Sequence, residues 1–318
     1  MVALMTIFRK EIEDHFNSWR FITIFLLMFV PSIYFIWHGA LGVKDMVTSV
    51  NYFFFLPMYT ASILDNPIPL LPNSFLELVA VVLPLMGIAL GLDAINSEKN
   101  NGTLSRLVSQ PVYRDSVINA KFLAGVVTIT VVMTSIVLIS IGMGIRIIGI
   151  VPTIEEIWRL FFFLVISIIY GSFWLGLAIL FSTLFKRVVA SAMLSLAIWL
   201  FFAIFFPLFQ QLIANSLSVE TEQAFFSSMQ TLINISRISP IQLFNESMAI
   251  VLLPQARTMS QILLLSQSDA ADYLLNTPLS VGQSLLIVWP QIIITILLTT
   301  ICFAIAYIKF MREEIRST

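Results

Sequence analysis

Long apolar runs, interrupted by short polar clusters, set the pattern of this chain. Four runs contain no charged residue: Phe122–Ile145, Leu160–Phe185, Val188–Ala214 and Leu285–Ile308. Two shorter ones, Phe21–Trp37 and Leu78–Leu92, complete the set. A bilayer core is about 30 Å thick and is crossed by about 20 apolar helical residues. At its centre an Asp, Lys or Arg costs roughly 2.5–3.5 kcal/mol, while a Leu or Ile returns roughly 0.3–0.6. Runs with no charge to offset therefore read as spans. The run Leu78–Leu92 is short and lies between Glu77 and Asp93, so one of those acids must sit at an interface. A β-barrel would alternate lipid-facing and polar lumen positions, whereas these runs are apolar all round. The pattern predicts an all-α polytopic membrane protein with six transmembrane helices, forming a single domain over residues 1–318.

Ahead of the first span, Leu4, Ile7, Phe8, Ile12, Phe16 and Trp19 recur at helical spacing. Arg9, Lys10, Glu13, Asp14 and Asn17 fill the other face. This predicts an interfacial elbow helix within residues 1–20, suited to the inner headgroup layer. The alternative is an extension of the first span into the cytosol. Charges come directly before the first apolar run and no small-residue cleavage site is evident, so a signal peptide is not expected.

Basic residues orient the chain, because cytoplasmic loops collect Lys and Arg. Three precede the first span, four lie between the second and third, two between the fourth and fifth, and three follow the sixth. Twelve of the 17 thus share one side, against Lys44, Arg146, Arg159, Arg237 and Arg257 on the other. Both termini are expected in the cytoplasm of a cell whose plasma membrane the chain crosses.

Composition agrees with this reading and excludes several function classes. The 318 residues are 58% hydrophobic and 11% charged, with a mean hydropathy of +0.95. Soluble domains run about 45–50% apolar and about 25% charged. A net charge of −1 leaves no basic footprint for nucleic acid. The single cysteine, Cys302, excludes an internal disulfide and a cysteine zinc cluster, and two histidines, His15 and His38, leave little for an imidazole metal site. No metal ligand or catalytic residue is therefore assigned.

The segment Asp93–Lys121 is the most informative. Asn100-Asn101-Gly102 breaks the helix leaving the second span, Thr103 opens a short helix, and Pro111 stops it. Leu104, Leu107 and Val108 share one face; Ser105, Arg106 and Ser109 lie elsewhere. Asp115 or Ser116 is placed to cap the next span. A helix of one or two turns is not stable alone in water. Its own membrane helices or a cytosolic partner must hold it.

The same block resembles the first cytoplasmic loop of type-2 ABC exporter permeases. The matching residues are Asp93, Glu98, Gly102-Thr103-Leu104, Pro111, Arg114 and Lys121. Arg9-Lys10-Glu11 before the elbow, and Ser239-Pro240 with Phe244 in the last external region, are similar too. Among relatives the chain looks closest to permeases of the nitrous oxide reductase maturation type. The resemblance implies a pair of six-span subunits, either two copies or one copy with a homologous permease. It also implies two cytosolic ATPase subunits, with Thr103–Gln110 as the coupling helix and residues 98–116 as the coupling loop. Glu98, Gly102, Thr103, Leu104, Arg106, Leu107, Val108, Pro111 and Arg114 become the candidate ATPase contacts. ATP and magnesium would bind the partner, since this chain has no GxxxxGK[ST] loop and no Gly-Lys pair. An accessory subunit is compatible with this layout.

Other positions carry competing readings. Gly87 and Gly91 form a GxxxG face that would let helices approach closely, although glycine is frequent in membrane helices. Pro84 and Pro207 should kink their helices. Asp93 either lines a cytoplasmic entrance, paired with Lys99 or Lys121, or is a solvated helix end. Arg146 snorkels to the headgroups near Glu155 or Glu156. Segment 215–283 is acidic and long enough to carry structure, read as short helices resting on the outer leaflet.

Three further function classes stand beside transport by an ABC permease. An ion-coupled transporter or channel would want ionisable groups in mid-membrane, where these runs have none. An intramembrane enzyme would want HExxH, GxSxG or a carboxylate pair, and none is present. A non-transporting membrane anchor for an ATPase signalling complex fits the same sequence.

Overall fold

The computed structural model describes residues 2–44, 72, 74–100, 113–149, 151–216, 230–253 and 279–312. The described residues are helical: α1 (Val2–Asn17), α2 (Trp19–Lys44), α3 (Phe75–Gly91), α4 (Asn96–Asn100), α5 (Arg114–Ile148) and α6 (Ile154–Leu184) come first. They continue with α7 (Val188–Leu200), a π-helical turn (Phe201–Phe205), α8 (Phe206–Ser216), α9 (Pro240–Leu252) and α10 (Val281–Arg312). Six candidate spans result, one each from α2, α3 with α4, α5, α6, the α7–α8 helix and α10.

Spans two and four form the centre, each with 72% of its most apolar window buried; the values are 22, 11 and 17% for spans one, five and six. Glycine sets the closeness of that central pair. A Cβ on Gly87 would lie 2.7 Å from the Gly171 carbonyl oxygen, and one on Gly91 2.9 Å from that of Leu175. Gly87 and Gly91 thus bring the α3 backbone directly onto the α6 backbone.

Proline shapes two spans differently. Pro84 has no N–H, so the Ala80 carbonyl lacks its helical donor. The buried Tyr170 hydroxyl of α6 donates to that carbonyl at 2.9 Å. One carbonyl further on, Val81 accepts from the Trp199 indole of α7 at 3.2 Å. In span five the π turn lies just before Pro207, and Phe206 N–H donates to the Phe201 carbonyl. The wider ring absorbs the register change that a proline imposes.

Local signals set the ends. Thr153 and Glu156 form a capping box at the start of α6, and Ser74 caps α3. The cap of α5 differs from expectation. Tyr113 occupies it with no side-chain bond, while Asp115 accepts from the Ser116 N–H at 2.8 Å one position later. Helix α9 corrects the reading of segment 215–283 as helices resting on a leaflet. Residues 240–252 are buried at every position except Gln242 and Asn245, and they pack on α10, α6 and α3. It is buried on nearly all sides, Glu246 and Ser247 included, so it enters the bundle.

Candidate functional site

Two polar knots stand at opposite ends of the bundle. The first gathers α1, the foot of span two and the start of span three. Lys121 Nζ lies 2.8 Å from Glu11 Oε1 and 2.9 Å from Glu98 Oε1, with the lysine side chain 5% exposed and each carboxylate side chain 10%. Nearby, Arg20 Nη1 meets Asp93 Oδ2 at 2.5 Å on the more exposed flank. These groups line a cavity of about 430 Å³, together with His15, Ser18 and Ser97.

The sequence explains how each arrives there. Helix α1 turns Ile7 and Glu11 inward, with Leu4, Phe8 and His15 half-buried beside them, while Phe16 and Trp19 are exposed. The inward face is therefore rotated from the apolar stripe expected, because Glu11 is drawn in by Lys121. His15 Nδ1 lies 3.3 Å from Thr128 Oγ1. The Thr128 hydroxyl already donates to the Ala124 carbonyl at 2.8 Å, so Nδ1–H is the donor in this contact. Burial holds the His15 pKa below its ordinary value; Glu11 pulls the other way more weakly.

A buried lysine between two carboxylates is a specific device rather than a large source of stability. Desolvating such charges cancels much of their attraction, yet removing one partner strands the others at about 3–5 kcal/mol. The knot therefore enforces one arrangement of α1, α4 and α5.

The turn leaving span two is held from a fourth direction. Ser182 Oγ on α6 accepts from the backbone N–H of Ile95 at 3.0 Å and of Asn96 at 3.2 Å, all three residues being fully buried. The Asn96 side-chain amide, also buried, has no hydrogen-bond partner among the described residues.

The second knot is at the other end. Arg159 is 1% exposed. It donates to the carbonyls of Val251 at 2.6 Å and Leu279 at 2.5 Å, to Ser284 Oγ at 3.3 Å, and to Glu155 at 3.1 Å. It thus joins the end of α9 to the start of α10. Earlier on α9, Glu246 receives a two-pronged contact from Arg237, which raises the arginine's pKa above its usual value.

The sequence-selected residues divide accordingly. Gly102, Thr103, Leu104, Arg106, Leu107, Val108 and Pro111 lie outside the described residues. Glu98 is buried in the first knot and Arg114 opens α5. Asp93 lines the cavity at the foot of span two and pairs with Arg20 on its exposed flank, while Lys121 is taken by Glu11 and Glu98. Glu155 and Glu156 serve Arg159 and the Thr153 box rather than Arg146. Sequence reasoning did not select Glu11, Arg20, Ser182 or Arg159 as site residues. Glu11 had a signal in the Arg9-Lys10-Glu11 triplet; a serine inside an apolar run has none. No group of three or more His, Cys, Asp or Glu able to hold a metal occurs among the described residues.

A family model described as ABC-2 family transporter protein matches residues 5–315. A curated protein from Pseudomonas aeruginosa, "Probable ABC transporter permease protein NosY", is 27% identical over 213 residues, 65% of this chain and 70% of that protein. Its namesake from Stutzerimonas stutzeri is 25% identical over 212 residues, 65% and 69% of the two chains.

Proposed function

The chain belongs to the ABC-2 family of transporter proteins, and on that premise we propose that it is an exporter permease driven through the loop 98–116 by separate cytosolic ATPases. At the coarser level it is an integral, six-span transmembrane subunit of an ABC transporter in the plasma membrane. In the proposed reading it works as a pair with a second copy or a homologous permease, and two ATPase subunits carry the nucleotide and magnesium. Both termini are cytoplasmic, so the Lys121 knot faces the cytosol and the Arg159 knot faces outward.

The observation that carries this reading is the Lys121 bridge. It holds Glu98, the first residue of the proposed coupling loop, to both α1 and span three. A push on that loop would reach three helices at once rather than bend one. The ion-coupled alternative is disfavoured by position: the buried charged groups among the described residues, Glu11, Glu98, Lys121, Glu156, Arg159 and Glu246, all lie outside the apolar runs of the six spans.

The test concerns the apolar face of the loop. Burying a Leu is worth roughly 1.5–3 kcal/mol, while an exposed ion pair contributes about 0–1. The double change Leu104→Asp with Leu107→Asp should strip the ATPase from the purified permease and abolish stimulated ATP hydrolysis. Arg106→Ala should do far less. A double variant that keeps both would remove the loop from this role.

A further inference from the structure

The exit turn of span two, residues 92–95, lacks a polar side chain at the position that would cap the helix after it. Ile95 stands there. The cap comes instead from 86 residues away, where Ser182 Oγ takes the N–H groups of both Ile95 and Asn96. Asn96 adds nothing, since its side-chain amide is buried without a partner. A buried backbone N–H that loses its acceptor costs about as much as a lost hydrogen bond, so the turn and Ser182 move together.

Ser182 does not move alone. It sits one turn beyond the stretch of α6 on which Gly87 and Gly91 lie, where a Cβ on Gly91 would also meet the Ala178 Cβ at 2.8 Å. Backbones this close transmit displacement with little slack. From Gly171 to Ser182, span four is therefore locked along span two and gripped to the turn two residues before Glu98.

We infer that Ser182 is the positioning residue that carries a push on the coupling loop from its entry turn into span four. Lys121 fixes Glu98 from the side of span three and α1; Ser182 fixes the two amides just before it from span four. The inference rests on the proposed coupling role of loop 98–116, and adds which further helix the loop drives and through which atom.

The test uses the purified permease–ATPase complex in proteoliposomes with Ser182→Ala and Ser182→Thr. Alanine keeps the volume and removes the acceptor; threonine restores a hydroxyl. Permease-dependent ATP hydrolysis is measured against MgATP concentration, and amide hydrogen exchange is followed at Ile95 and Asn96. With Ser182→Ala we expect the ATPase to remain bound, KM for ATP to stay unchanged, kcat to fall about tenfold, and both amides to exchange faster. Ser182→Thr should recover kcat and protection together. Faster exchange with unchanged kcat in the alanine variant would show a merely structural cap and overturn the inference. So would a threonine variant that regains protection without regaining kcat. Failure of the ATPase to bind even the wild-type permease would defeat the underlying reading instead, and is seen before any variant is made.

Discussion

Replacing Arg159 with methionine should be the most damaging single change at the outer knot, and the contacts say why. The side chain keeps its length and loses every donor. Two backbone carbonyls, Val251 and Leu279, then lose the buried charged donor they share. Each stranded buried acceptor costs about 1–3 kcal/mol. The ion pair to Glu155 counts for less, because that carboxylate is 53% exposed and regains water when released; exposed pairs are worth about 0–1 kcal/mol. Summing the two carbonyls gives about 2–6 kcal/mol for Arg159→Met, against less than about 1 for Glu155→Gln. Lysine should recover about half, since one ammonium cannot fork to both carbonyls. Unfolding in mixed detergent–SDS micelles would measure all three variants. If Glu155→Gln cost as much as Arg159→Met, the carbonyl account would be refuted and the ion pair would be the main contributor.

Three other outcomes are expected. Gly87→Val should cost about 1–3 kcal/mol of stability by overpacking, since even a Cβ reaches 2.7 Å from the Gly171 carbonyl oxygen; thermal unfolding in detergent would show it, and Gly142→Val, with open space around it, should be tolerated. Tyr170→Phe should cost about 1–3 kcal/mol by leaving the Ala80 carbonyl of the Pro84 kink without a donor, read in the same unfolding assay. His15, its pKa lowered by burial, binds a proton more readily unfolded than folded, so stability should decline as pH falls below about 6.5 toward the folded value; His15→Gln should flatten that part of the unfolding-versus-pH curve.

The spans were legible because charge-free length is a signal that no tertiary contact can reverse. Each of the six apolar runs falls on its own candidate span, to within one residue at Phe185 and Ala214, and the Pro84 and Gly87 positions stood out by residue type. What stayed hidden depends on side chains meeting across distance. Lys121 pairs with Glu11 over 110 positions, and the choice between Asp93 and Glu11 as its partner follows from how α1 rotates on α5. Ser182 looks like any small residue in an apolar run until the helix beneath it is known. Helix α9 was expected on the membrane surface from its apolar cluster Ala249–Leu253; residues 249–252 and most of those before them are buried instead, Glu246 and Ser247 included, because the helix packs into the bundle. The candidate coupling residues between 102 and 111 lie outside the described residues, so for them the sequence pattern and the family likeness remain the basis.

The uneven burial of the spans has a mechanical meaning. Spans two and four, with 72% of their windows enclosed, make a stiff spine. Span five, at 11%, touches it along a narrow seam, and in lipid its bare flank carries no hydrophobic penalty that would press it closer, whereas span six, though only 17% enclosed, packs along span four. Compliance is thus concentrated at span five: a load on the spine moves it as a beam, while span five can slide along it by small steps, as in shear motions. The Trp199 indole resting on the Val81 carbonyl is a brake on such sliding between span five and the beam, and its single hydrogen bond makes that brake easy to release.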